Sequence, residues 1–216
     1  MYARTDALLS FALRPVNWQS YLNGLKMERV PVYVTTSLKG EVSLKDEAKA
    51  WADEVGAHFV PRQGRGEEEL HNLYENLIIY TNMGPEIRTE GGRHRFHPSM
   101  AELRIRQIDS GKGDRFLDAV AATRPVEFLD CTCGLGSDAL VASYGLPRGS
   151  RVDAVEASPL LARVTAWGFS RYVHERRAVT EALRHIHLTY NTYESVLTSI
   201  EDKSYDEATS SAAHSA

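Results

Sequence analysis

The sequence predicts an α/β protein: a small N-terminal α/β part followed by the first half of a doubly wound parallel sheet. Three observations carry this. Residues 127–131 form a short apolar strand that runs straight into a glycine turn, Gly134-Leu-Gly136, and then a helical pattern from Ser137. A second apolar run, 152–155, ends on Glu156. Upstream, strand patterns at 30–35, 58–60 and 77–81 alternate with helical ones, as βαβ units require.

In order along the chain, residues 1–26 read as an N-terminal extension, helical around 7–13, with Met27 a candidate natural start. Residues 27–122 form the N-terminal α/β subdomain. Its first helix, 44–55, opens with a capping box at Ser43-Leu-Lys-Asp46 and stops at Gly56. A second helix follows at 67–75. Gly91-Gly92 predicts a hairpin. Pro98 starts a helix through Ile108, and another covers 115–122. Residues 123–206 form the partial doubly wound domain, with helices at 137–144 and 159–176, a strand at 185–190 and a helix at 193–200. Residues 207–216, small and polar, read as a disordered tail. The fourth strand expected near Tyr205-Asp206 is not visible, so the chain reads as truncated or altered beyond Asp206. Strand 127–131 would then be an exposed edge, open to homo-oligomer formation.

Composition bounds the function. The chain has 216 residues, 43% hydrophobic and 25% charged, with a net charge of −4. These are soluble-globular proportions, and they exclude a protein that coats nucleic acid by bulk charge. Charge is uneven, however. Residues 88–115 carry seven Lys or Arg against four acids, whereas residues 41–75 carry four against nine. A nucleic-acid surface belongs around the hairpin and the helix after it. No segment has the length of a membrane span, and the N-terminus lacks a signal-peptide core. The only cysteines, Cys131 and Cys133, lie two apart and are expected to point the same way as buried small residues. That pattern suits a reducing cytoplasm and supplies no metal site, since His185 and His187 are remote in sequence.

The glycine turn carries the chemistry. Glycine lets a ligand approach the backbone, and an acid at the tip of the second strand can accept both hydroxyls of a ribose. The 22 residues from Gly134 to Glu156 match the spacing of about 20 in nucleoside-binding βαβ units. Gly134-Leu-Gly136-Ser-Asp-Ala139 also fits the dinucleotide pattern of an NAD-dependent oxidoreductase. Asp130 disfavours it: a carboxylate there would repel pyrophosphate but suits a ligand with a cationic sulfur and an ammonium group.

The order Asp130-x-x-x-Gly134-x-Gly136 resembles motif I of class I S-adenosyl-L-methionine-dependent methyltransferases, which have a Rossmann-like fold. Together with Phe96-His-Pro-Ser-Met-Ala-Glu-Leu-Arg104-Ile-Arg106 upstream, it resembles bacterial methyltransferases related to the RsmJ family, which methylate the N2 amine of a guanine in small-subunit ribosomal RNA. The resemblance implies S-adenosyl-L-methionine as cofactor, ribosomal RNA as partner and a role in rRNA processing. It places Asp130, Gly134 and Gly136 around the methionine part, Glu156 on the ribose, and Ala157, Ser158, Asn191 and Thr192 near the adenine, and it adds Cys131, Thr132 and Asp138 to the cofactor-binding residues. It sets His97, Ser99 and Arg106 on the substrate side. The family's Asp-Pro-Met-Phe-type motif on the fourth strand has no counterpart here, so catalytic residues are not assigned. A non-catalytic cofactor-binding fragment, a small-molecule methyltransferase and an NAD-dependent oxidoreductase remain alternatives.

Overall fold

The computed structural model describes residues 30–89, 91–199 and 205–209. The expectations for residues 1–26 lie outside them. The N-terminal part is a five-stranded sheet in the order β2-β1-β3-β4-β5. β1 (Tyr33–Thr36) runs parallel to β2 (His58–Phe59) and to β3 (Leu77–Thr81), and β4 (Gly84–Thr89) and β5 (Gly92–Arg95) add an antiparallel hairpin. The crossovers are α1 (Lys45–Glu54) and α2 (Glu67–Leu73). The capping box at Ser43 is not made: Leu44 is the N-cap residue and no side chain caps α1. The Ser43 hydroxyl therefore lies one position too early to meet the free N–H groups of the first turn.

Two helices, α3 (Ser99–Asp109) and α4 (Arg115–Val120), lead to the second sheet, which is parallel throughout, in the order β8-β7-β6-β9. It comprises β6 (Glu127–Asp130), β7 (Arg151–Glu156), β8 (Ile186–Tyr190) and β9 (Glu207–Thr209). The connecting helices are α5 (Ser137–Gly145), α6 (Pro159–Arg171), α7 (Arg177–Arg184) and α8 (Tyr193–Ser199).

β9 corrects the reading of residues 207–209 as part of a disordered tail; residues 210–216 lie outside the described residues. Glu207, Ala208 and Thr209 pair in parallel with Phe128, Leu129 and Asp130. The Asp206 carboxylate anchors the start by accepting the Glu127 N–H (2.9 Å) and an Arg124 hydrogen bond (2.9 Å). Three residues of low apolar content form a strand because backbone pairing, not side-chain burial, selects them. β6 is consequently an interior strand, and the exposed edge expected there, with the self-association drawn from it, has no basis at that position. α7 was also unforeseen: its buried Val179, Ala182 and Leu183 follow a helical period inside a segment whose charges mask it. The cysteines diverge. Cys131 packs with Leu129 and Val155 on one side of the sheet, Cys133 with the main core, because the strand ends at Asp130 and its alternation ends with it.

One core joins the sheets. Val34, Ile78, Ile87, Phe96, Phe128, Leu140, Val152 and Phe169 belong to a single buried cluster, and α6 is the shared wall. A Cβ on Gly84 would come within 2.5 Å of Trp167, and one on Gly168 within 2.0 Å of Phe96. Arg163, buried on α6, donates to the Val55 carbonyl at the end of α1 (3.0 Å).

Candidate functional site

The strand order reverses between β6 and β9, and ligands of open α/β sheets bind outside the carboxyl ends of strands at such a reversal. β6 delivers Asp130 there, 2% exposed. Its carboxylate accepts the N–H groups of Thr132 (3.0 Å) and Ala139, tying the strand end to the first turn of α5. Burial pushes the Asp130 carboxyl up to about 6. The two N–H donors oppose that shift, and the nearby charges of Asp138 and Glu156 add to it.

The turn is held from both sides. Cys133 N–H donates to the Val155 carbonyl (2.9 Å), and Gly136 N–H donates to the Cys133 carbonyl (2.7 Å). Thr165, on α6, donates its hydroxyl to the Gly134 carbonyl (2.7 Å). Gly134 and Gly136 are left-handed, with φ of 55° and 81°. Their surroundings differ. A Cβ on Gly136 would sit 2.4 Å from the Phe169 ring, whereas one on Gly134 would meet nothing within 4 Å. Gly136 serves packing, and Gly134 faces open space.

Glu156 borders that space. One carboxylate oxygen accepts the Gly134 N–H (2.7 Å), and the other accepts the Ser158 N–H (2.7 Å). Each oxygen keeps acceptor capacity. The Glu156 carbonyl accepts the Asn191 N–H (3.1 Å), and the Asn191 amide oxygen accepts the Thr192 N–H (2.8 Å). The Ser158 hydroxyl caps α6 through Leu161 N–H (3.3 Å), Thr192 accepts the Ser195 N–H (3.3 Å), and Ala157 is exposed. The structure thus gathers Asp130, Gly134, Gly136, Glu156, Ser158, Asn191 and Thr192 at the ends of three strands. Burial raises both cysteine thiols, Cys133 the more strongly, so neither is poised as a nucleophile. Among the described residues no three His, Cys, Asp or Glu side chains form a metal-binding group, and no helix is long and apolar enough to cross a membrane.

Three expected residues stand outside this set. Arg106 is exposed and pairs with Glu102 on its own helix. Ser99 is exposed, and exposed His97 lies edge-on to Tyr172, ring centroids 6.3 Å apart. The residue missed is Arg104. It pairs with Asp138 (2.5 Å) and, through two nitrogens, with Asp114 (2.8 and 2.9 Å). Two residues along a helix are about 200° apart, so when 104 faces α5, 106 faces away. The apolar positions Ala101, Ile105 and Ile108 were the available signal: Arg104 lies on their side. Asp138 is therefore an ion-pair partner here, and the Arg104 network opens onto a polar cleft of about 460 Å³ that includes Lys112 and Arg115.

No family model matches the chain. In sequence it is 27% identical over 158 residues to the "Uncharacterized protein YpiP" of Bacillus subtilis (strain 168), an alignment covering 71% of this chain and 60% of that protein. In structure it is similar to a SAM-dependent methyltransferase from Neisseria gonorrhoeae, with a TM-score of 0.55 and 16% identity over 77% of this chain and 63% of that one. The chain thus spans less than two thirds of either protein. Its fold is the mixed α/β, Rossmann-like methyltransferase fold.

Proposed function

We propose that this chain binds S-adenosyl-L-methionine and belongs to a methyltransferase whose acceptor is RNA. The observation that carries the first part is the Glu156 carboxylate beside the open space at Gly134. Its oxygens are fixed by two backbone N–H groups and keep lone pairs free for two ribose hydroxyls. The donor set fits this ligand in a second way. Asp130 is buried at the strand end with its carboxyl pushed up to about 6, and a cationic ligand would favour its charged form. Gly134 leaves backbone free for close approach. The cofactor supplies an electrophilic methyl group on a sulfonium. The chain's own residues orient it: Glu156 by its ribose, and Asn191 and Thr192 by the neighbouring base edge.

Support for RNA as acceptor is the positive stretch at residues 88–115 and the resemblance to RsmJ-like enzymes, which extends the reading to a guanine N2 amine of small-subunit ribosomal RNA in the cytoplasm. Titration calorimetry with S-adenosylmethionine, its demethylated product and NAD tests the cofactor. Heat with both methionine nucleosides and none with NAD is expected. Binding of NAD alone would overturn it.

A further inference from the structure

The β4–β5 hairpin carries a charged face that the candidate cofactor site does not use. Residues two apart on a strand share a face, and directly opposed residues on an antiparallel pair share it too. The register Glu86↔Arg95 and Arg88↔Arg93 therefore puts three guanidinium groups and one carboxylate on one face. Ile87 and His94 take the other, and Ile87 joins the main core. Arg93 and Arg95 are exposed, and β5 is the edge of its sheet. Arg88 is largely covered, paired with Glu86 (2.5 Å) and with Glu67 of α2.

A fourth arginine approaches from the loop after β2. Arg62 is 3% exposed. It donates to the carbonyls of Thr36 and Arg65, both at 3.0 Å, and makes no ion pair with a carboxylate among the described residues. Burial lowers the Arg88 pKa first, and the charges of Arg93 and Arg62 lower it further. Arg88, Arg93 and Arg62 thus form one electrostatic group, with Arg95 on the same face, and the carboxylates that act on it are Glu86, Glu67 and Glu41. Positive charge on a strand face whose outer residues, Arg93 and Arg95, are exposed suits a chain of phosphates, and the planar guanidinium fork matches phosphate oxygens.

We infer that this hairpin face, with Arg93 and Arg95 as its accessible contacts and Arg88 and Arg62 as its charge reserve, grips the phosphate backbone of an RNA. The inference rests on the RNA acceptor proposed above and assigns the surface that holds it. The hairpin is held to α6 at its open end, through Gly84 on Trp167 and Phe96 on Gly168. The same helix holds the Gly134 carbonyl through Thr165. RNA gripped on the hairpin would therefore be held in fixed relation to the glycine turn. The arginines point away from α6, so a bound strand would pass round the β5 edge.

The test is fluorescence anisotropy of a labelled RNA stem-loop against the whole chain, at several salt concentrations, with the Arg93→Glu/Arg95→Glu and Arg93→Lys/Arg95→Lys variants. Calorimetry with S-adenosylmethionine on the same samples reads the cofactor site separately. The Glu variant is expected to bind RNA at least about tenfold more weakly near 0.1 M salt, and its log–log salt slope to fall by about 1.4–1.8, the loss of two phosphate contacts. The Lys variant should keep the slope. Equal RNA affinity in the Glu variant would overturn the inference, as would no RNA binding by the unaltered chain while it binds S-adenosylmethionine. Tighter binding to phosphatidylserine vesicles than to RNA would also overturn it, by making the face a membrane contact. Loss of RNA binding in the Glu variant by a chain that binds no S-adenosylmethionine would support the surface and sink the cofactor reading.

Discussion

The two sheets of this protein are built on the same plan but end differently. Each has a central parallel strand flanked on one side by the next strand in sequence and on the other by a later one: β2-β1-β3 and β7-β6-β9. Each therefore has a reversal where a ligand could sit. β6 runs into two left-handed glycines, and β7 ends on Glu156. β1 runs into a short 3-10 turn over Leu38–Gly40, and β2, two residues long, is followed by Val60, which packs against the apolar cluster under α2. The buried Arg62 guanidinium occupies the neighbourhood of the Thr36 carbonyl. Topology makes the crevice in both places, but only the second has an acid at the strand tip and bare backbone beside it.

The largest effect separates the two glycines. Gly136→Ala combines a left-handed backbone with a methyl group 2.4 Å from a buried ring. It should cost about 3–5 kcal/mol in urea unfolding. Gly134→Ala pays only the backbone strain of about 1–2 kcal/mol, yet it fills the space beside Glu156 and should weaken S-adenosylmethionine binding. Equal stability losses at the two positions would remove the distinction between a packing glycine and a ligand-facing one.

The next effect depends on pH. An aspartate outside a fold titrates near 4, and Asp130 is raised to about 6. The folded protein thus holds this proton where the unfolded chain has released it. The contribution is fully present below about pH 4 and is lost as pH rises through about 6, a loss of about 3 kcal/mol once the range is passed. Asp130→Asn should therefore be more stable than the unaltered chain at pH 8 and no more stable at pH 4, by urea melts of the ligand-free protein. Affinity for a cationic ligand runs the opposite way, rising with pH through about 6 in the unaltered chain and staying flat in the variant.

Glu156→Ala comes third. It should cost about 1–3 kcal/mol of S-adenosylmethionine binding, the range for charge-assisted hydrogen bonds. It also frees two N–H groups, so part of the loss will be in the fold. Glu156→Gln keeps one acceptor and should fall between, and calorimetry on all three chains orders them.

Much of the second sheet was legible because its signals are local. The glycines, Asp130 and Glu156 lie at the ends of apolar runs, and their hydrogen bonds join neighbours in the pattern. Arg104 was less legible, since its value comes from Asp114 and Asp138, 10 and 34 residues away. β9 was hidden for a different reason. Glu207-Ala-Thr209 has little strand propensity outside Thr209 and becomes a strand through pairing with β6. The hairpin's arginines were visible as composition, but the register that gathers them on one face was not.

The smallest effect compares one substitution at two buried threonines. Thr35 on β1 and Thr165 on α6 are both 0% exposed. The Thr165 hydroxyl donates to the Gly134 carbonyl at 2.7 Å, while the Thr35 hydroxyl has no hydrogen-bond partner among the described residues. Valine matches threonine in shape and removes only the hydroxyl. At Thr165 that breaks a bond and leaves a carbonyl of the turn short of a donor, a loss of about 1–2 kcal/mol. At Thr35 it removes a polar group desolvated without return, and stability should rise by about 1 kcal/mol. For a chain of this size either change moves Tm by roughly 2–4 °C per kcal/mol, so differential scanning calorimetry resolves the signs. A lower Tm for Thr35→Val would mean that the hydroxyl has a partner, such as a bound water at the end of β1. The first sheet's crevice would then hold a polar occupant.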